Sequence, residues 1–318
     1  MLHVLTRPKI KDQKPNPMQN ELKIGLVGLD TSHVVAFTKL LNDSSSEYHV
    51  PGGTIVAAFP GGSPDFDLSI NRVEGFTSQL RDEYGIEILD SPEAVAQKCD
   101  AVFLTAVDGR AHLELFSRIA PLGKPTFIDK PFTVSSADAK AIVELAREYN
   151  VPIMSCSSLR YAQPVSDLFA QVSREEIRSV DACGPMALQE SQNNIFWYGI
   201  HTVEMLFAAM GKGCEQVYAA PGDGYELLTG VWKDGRVGSV RGDHAAQLKF
   251  NLTLYTTAGA KSADAYTHAK PPYAGLLERV LPFLQGGESP IDIEETLEIM
   301  RFIEAANESR ESGVPVKL

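Results

Sequence analysis

Apolar runs and helical periodicities alternate through the first half of the chain. Leu22–Gly28 is a short apolar run that predicts a strand, and Thr31–Leu41 places its apolar residues at helical spacing. Thr54–Phe59 predicts a second strand, followed by a Gly/Pro-rich turn at Pro60–Pro64 and a helix over Thr77–Tyr84. Ser91-Pro92-Glu93 supplies the cap, first-turn proline and acid of a helix start. Ala101–Thr105, Pro125–Ile128 and Val151–Ser155 read as further strands, and Arg110–Ile119 as a helix between the first two. Ser135-Ser136-Ala137-Asp138 opens another helix, with Ala141, Ile142, Leu145 and Ala146 on one face. Repeated strand–helix alternation predicts a doubly wound parallel sheet with right-handed crossovers, over residues 21–156.

Beyond Ser157 the pattern changes. Gln163–Val172 and Ile195–Met210 keep helical spacing, whereas Val217–Ala220, Tyr225–Trp232, Arg236–Arg241 and Gln247–Thr256 read as successive strands. Asp234-Gly235 between two of these runs is a hairpin signal. Helices over Pro272–Gln285 and Ile291–Arg310 close the chain. Residues 157–318 are therefore expected to form an α+β unit with a mainly antiparallel open sheet. Such a sheet needs a covered outer face, so a homodimer or homotetramer is expected.

Composition narrows the function classes. The chain has 318 residues, 44% hydrophobic, and a formal net charge of −12, which argues against nucleic acid or an anionic membrane as partner. Residues 1–20 hold Arg7, Lys9, Lys11 and Lys14 without an apolar stretch, and read as a flexible extension rather than a secretory signal. Cys99, Cys156, Cys183 and Cys214 are widely separated, which suits free thiols in the cytoplasm.

The first strand runs into Gly28-Leu29-Asp30-Thr31-Ser32-His33, the place of a Rossmann G-x-G-x-x-G turn. Gly28 can make the turn, but Asp30 stands at the second glycine and His33 at the third. Thr31 and Ser32 can cap the helix and offer hydroxyls to a phosphate. Asp30 opposes a phosphate unless it turns away, and a simple helix cap is the alternative reading of the loop. The tip of the second strand, Phe59-Pro60-Gly61-Gly62-Ser63, lacks the acid that grips an adenosine ribose. Ser63 and Arg72 are candidates for a 2′-phosphate. The cofactor is expected to be NAD or NADP, with the balance towards NADP.

Gly123-Lys124-Pro125-Thr126-Phe127-Ile128-Asp129-Lys130-Pro131 ends an apolar strand in an acid, a lysine and a proline at the edge where open α/β sheets bind ligands. Together with Thr105–His112, Leu159-Arg160-Tyr161, Pro164, Tyr198-Gly199-Ile200-His201 and Glu304-Ala305-Ala306, this order resembles the Gfo/Idh/MocA family, from about Leu22 to the end. The resemblance implies catalysis by Lys130, with Asp129 replacing the family's Glu, and by His201. It implies dinucleotide contacts at Gly28, Asp30, Thr31, Ser32, His33, Ser63, Thr105, Ala106, His112, Asp129, Lys130 and Arg160. Substrate contacts fall to Lys130, Trp197, Tyr198 and His201.

The residue one turn before His201 is Trp197 where the family has an Asp, so the usual acid partner is missing. Glu204, one turn later, is a candidate to orient the imidazole, which is expected to ionise near neutral pH. His201 and Glu204 also have helical ligand spacing, with His33, His112, His244 or Cys183 as partners, but no metal is assigned. The implied activity is an NAD(P)-dependent oxidoreductase acting on a sugar, polyol or sugar derivative. A nicotinamide-dependent lyase, epimerase or glycosidase without net redox change is the first alternative. A non-catalytic ligand sensor is the second.

Overall fold

The computed structural model describes residues 21–318; the expected extension over 1–20 lies outside them. The first sheet contains β1 (Leu22–Val27), β2 (Gly53–Phe59), β3 (Glu87–Ile88), β4 (Ala101–Leu104), β5 (Thr126–Ile128) and β6 (Ile153–Met154). Its order is β3-β2-β1-β4-β5-β6, with every pairing parallel. Strand order reverses at β1/β4, which is the ligand crevice of a doubly wound sheet. Helices α1 (His33–Asn42), α2 (Asp67–Tyr84), α3 (Pro92–Lys98), α4 (His112–Ile119) and α5 (Ser136–Glu148) make the crossovers. The expected Rossmann-type sheet is present.

After α6 (Gln163–Ala170), the chain enters a second sheet. Its strands are β7 (Ile177–Pro185), β8 (Cys214–Pro221), β9 (Tyr225–Trp232), β10 (Val237–Asp243), β11 (Asn251–Thr256) and β12 (Gly259–Asp264), with α7 (Ile195–Met210) between β7 and β8. Helices α8 (Pro272–Leu284) and α9 (Ile293–Ser312) follow, and β13 (Val316–Lys317) closes the chain. The order is β12-β11-β7-β10-β9-β8-β13, antiparallel except for the β7–β10 pair. Among the described residues, no helix is long and apolar enough to cross a membrane.

Four elements depart from the sequence expectation. Helix α2 begins at Asp67, ten residues before the expected start, because its buried positions are only Ser69, Thr77 and Leu80. So few apolar inward residues give no helical stripe. Strand β7 was not anticipated: its inward positions include Ala182 and the small Gly184, so the two-residue alternation is faint. Edge strand β12 buries only Ala263 and carries almost no pattern at all. Strand β11 starts at Asn251 rather than Gln247, since the Asp243 carboxylate takes the Gln247 and Leu248 amides into a turn.

One face of the first sheet is covered by a helix from the far end of the chain. Leu276, Leu277, Val280 and Leu281 of α8 share a buried cluster with Ile24, Phe37, Phe103 and Phe127. Gly275 makes this approach possible, because a Cβ there would lie 2.2 Å from the Tyr161 carbonyl oxygen. Gly275→Ala should therefore push α8 outward and destabilise the protein by about 1–3 kcal/mol, the cost of overpacking. Denaturant unfolding measures it, and an unchanged midpoint would contradict the close approach.

Candidate active site

Four side chains meet at the carboxyl edge of the first sheet. Asp129 and Lys130 follow β5 directly, and His33 opens α1 behind the β1 turn. The His33 Nδ1 pairs with the Asp129 carboxylate, and both are buried. Burial pushes the Asp129 carboxyl up, but His33 and the Lys130 ammonium outweigh it and hold the group below its usual range. Lys130 is half-buried beside Asp129 and is depressed by desolvation, which outweighs Asp129; Arg72 adds repulsion.

His201 reaches the same space from α7. Burial holds its imidazole well below 6.5, and the nearby Lys130 and His33 add to the effect. The expected ionisation near neutrality is therefore corrected: the ring is neutral there because it is desolvated among cations. Its partner is Ser157, whose Oγ lies 2.7 Å from Nδ1. The same Oγ accepts the Leu159 amide at 3.2 Å, so one hydroxyl joins the imidazole to the backbone of the turn. Ser157, which the sequence reading missed, thus stands in for the absent acid; a lone serine after a strand carries no signal for such a role.

Glu204 does not orient His201. It pairs with buried Arg160, which also meets Glu295 at 2.7 Å. Burial acts to depress the Arg160 guanidinium, but the two carboxylates hold it above its usual range. Arg160, expected at the dinucleotide, thus holds α7 and α9 to the turn after β6. Tyr198 is 37% exposed and lies 5.4 Å from the His201 ring, with Phe250 stacked beside it. Trp197 packs edge-on against Phe66 at 5.4 Å. Tyr273 of α8 lies 4.9 Å from the His33 ring, and its phenol is raised by burial and by Asp129.

The phosphate loop adapts to its missing glycines. Gly28 has φ of 95°, and a Cβ there would strike the Ala106 backbone at 2.5 Å. Thr105 donates its hydroxyl to the Gly28 carbonyl at 2.7 Å, so Thr105 and Ala106 form the floor of the turn. Asp30 turns inward and accepts from Ser69 Oγ at 2.6 Å and the Val107 amide at 2.8 Å. Burial raises its carboxyl. It does not cap α1. Thr31 is buried and takes the His33 amide, whereas Ser32 is exposed at the helix start.

A groove of about 220 Å³ lies between the tips of β2 and β4, lined by Asp30, Phe59, Gly61, Gly62, Ser63, Ala106, Ala111 and Arg118, among others. His112 is not in it. Its ring nitrogens bond the Ala106 and Phe132 carbonyls at 2.8 and 3.0 Å, clamping the β4 loop to the segment after Lys130. Among the described residues, no cluster of three His, Cys, Asp or Glu side chains is disposed to hold a metal ion. His244 faces Glu226 instead.

Residues 66–156 match the GFO_IDH_MocA family model, described as an oxidoreductase family with an NAD-binding Rossmann fold. The Gfo/Idh/MocA resemblance holds. Comparison with curated protein sequences finds no match. Among solved structures, the chain is similar to myo-inositol dehydrogenase of Lactobacillus casei in complex with NAD(H) and myo-inositol, at 17% identity and a TM-score of 0.73, over 94% of this chain and 97% of that one. An oxidoreductase of Agrobacterium radiobacter in complex with NAD+, L-tartaric acid and magnesium aligns at 19% identity and 0.70, covering 93% and 98%. The apo scyllo-inositol dehydrogenase of L. casei gives 16% and 0.72, covering 94% and 98%. At these identities, the likeness to solved structures is one of fold.

Asp108 pins the rim of the groove. It is 2% exposed, takes the Arg110 guanidinium and the Gln192 amide at 2.7 Å each, and Arg110 in turn forks onto Asp65. Burial raises its carboxyl, but these hydrogen bonds prevail and hold it at about 2. A depressed carboxyl stabilises the fold above its unfolded value of 3.8 and loses that contribution as pH falls towards 2. Asp108→Asn should cost about 1–3 kcal/mol at pH 7. In urea titrations the gap to wild type should narrow between these two pH values, and a constant gap would acquit Asp108 as the titrating group.

Proposed function

We propose that this protein is a nicotinamide-dinucleotide-dependent oxidoreductase acting on a CH–OH group of a sugar, polyol or sugar derivative. The observation that carries the reading is the convergence of Lys130 and His201, from separate parts of the chain, beside the β1/β4 crevice. A dinucleotide fits the residues present: the Gly28 turn admits no Cβ, and the groove at Gly61–Ser63 opens at the same edge. When bound, the nicotinamide accepts the hydride from the reacting carbon. Residues 21–156 hold the dinucleotide in this reading, and 157–318 carry most of the substrate side. The match to an oxidoreductase family, and the NAD and polyol complexes among similar structures, support it.

Lys130 polarises the substrate hydroxyl and takes its proton. Desolvation favours its neutral form, so more of the amine is free to accept a proton at lower pH. His201, neutral and held at Nδ1 by Ser157, accepts the proton at its unprotonated ring nitrogen and passes it to solvent. The absence of an acid at the β2 tip favours NADP binding no worse than NAD. The outer face of the second sheet, with Tyr218, Val231, Val237 and Tyr255 each 40% exposed, is the place for self-association of this chain.

Calorimetry with NAD and NADP tests the reading directly: at least one should bind the cofactor-free protein. Growth of the reduced-nicotinamide absorbance with a substrate distinguishes net oxidation from an internal redox cycle. Lys130→Met should lower turnover by about a hundredfold or more. In wild type, turnover should rise with pH through an ionisation below 10.5, since the neutral amine is the active form. The profile belongs to the coupled Lys130–Asp129 pair. Normal turnover in the mutant would end the assignment.

Ser157→Ala should cost about tenfold in turnover, the scale of one hydrogen bond to the proton-transferring ring. Dinucleotide affinity should be unchanged. Loss of affinity with unchanged turnover would place Ser157 at the cofactor instead.

A further inference from the structure

Arg72 lies on α2, one turn after Ser69. Its Nε and Nη2 are buried and have no hydrogen-bond partner. The guanidinium is near enough to the Asp30 carboxylate to be attracted and near enough to Lys130 to repel it. The neighbouring acid Asp30 makes no hydrogen bond to it: its two carboxylate oxygens take Ser69 and the Val107 amide. A lysine or histidine in this position could lose its proton, but an arginine keeps its charge. Arg72 is half-buried, and its two unsatisfied buried donors call for a partner.

We propose that Arg72 receives an oxyanion carried into the cleft by the ligand, between the phosphate loop and Lys130. The fork of the guanidinium suits two acceptor oxygens, as a phosphate or a carboxylate presents. Two sources share that chemistry: the dinucleotide pyrophosphate and a carboxylate on an acidic polyol substrate. The loop favours the pyrophosphate. Its Gly28 and Leu29 amides bond the Phe59 and Pro60 carbonyls at 2.9 and 2.7 Å, so neither is free for a phosphate. Asp30 occupies the second glycine position, and Arg72 supplies the positive charge that this altered loop lacks. The pyrophosphate source rests on the oxidoreductase reading above; the anion site itself does not.

The test is calorimetry with NAD, NADP, inorganic pyrophosphate and D-gluconate on wild type, Arg72→Gln and Arg72→Lys. Arg72→Gln should weaken both dinucleotides and pyrophosphate by about tenfold or more, the scale of a lost hydrogen bond to a charged group. Arg72→Lys should retain part of that binding, and gluconate should be unaffected. Weakening of gluconate alone keeps the oxyanion site but assigns it to the substrate. Unchanged binding of all four overturns the proposal. Wild type that binds pyrophosphate or gluconate through Arg72 but neither dinucleotide keeps the site and removes the oxidoreductase reading. Wild type that binds none of the four overturns both. Without ligand, Arg72→Gln should melt close to the wild-type temperature, because Nε and Nη2 make no hydrogen bond in the fold. A marked fall in melting temperature would make Arg72 a structural residue and overturn the proposal as well.

Discussion

The buried Asp129 carboxylate is the interaction on which the cleft depends. It receives His33 from the phosphate loop, stands beside the Lys130 ammonium, and accepts the Lys130 amide at 2.8 Å. Tyr273 from α8 packs on the same imidazole. One carboxylate therefore fixes the loop, the lysine and a helix contributed from the distant end of the chain. Its charge is sustained by two neighbouring bases, and the cost of burying each group is met by the others.

A second buried ionic network sets where His201 can stand. Arg160 joins Glu204 of α7 and Glu295 of α9 beneath the cleft. Loss of Arg160 would leave both buried acids without their cation, and breaking a buried pair in this way typically costs about 3–5 kcal/mol. Ser157 lies three residues before Arg160, so the same turn that carries the guanidinium also presents the hydroxyl to His201. The anchor and the proton-transfer partner are thus supplied by one short segment.

The phosphate loop shows how a departure from a glycine pattern can be accommodated. Two bulky polar residues occupy glycine positions, yet neither points outward: Asp30 bonds Ser69 and Val107, and His33 bonds Asp129. Both are used as internal anchors. The turn itself still depends on Gly28, because only a residue without a Cβ can lie against Ala106.

The family resemblance singled out Lys130 and His201, whereas the sequence by itself determined the alternation of strands and helices, the crevice edge and the hairpin at Asp234-Gly235. Those features are local: periodicity, caps and turn residues are read within a few positions of one another. Strands β7 and β12 escaped it because their inward side chains are few or small. The partners in the cleft were decided only by tertiary structure. Ser157 on His201, Glu204 on Arg160 and His33 on Asp129 join residues 44, 44 and 96 positions apart. No single-chain pattern specifies which acid a base will meet, because that choice depends on how the helices settle against two sheets. The coverage of the first sheet by α8 is of the same kind: its apolar face was legible, but the surface it buries was not.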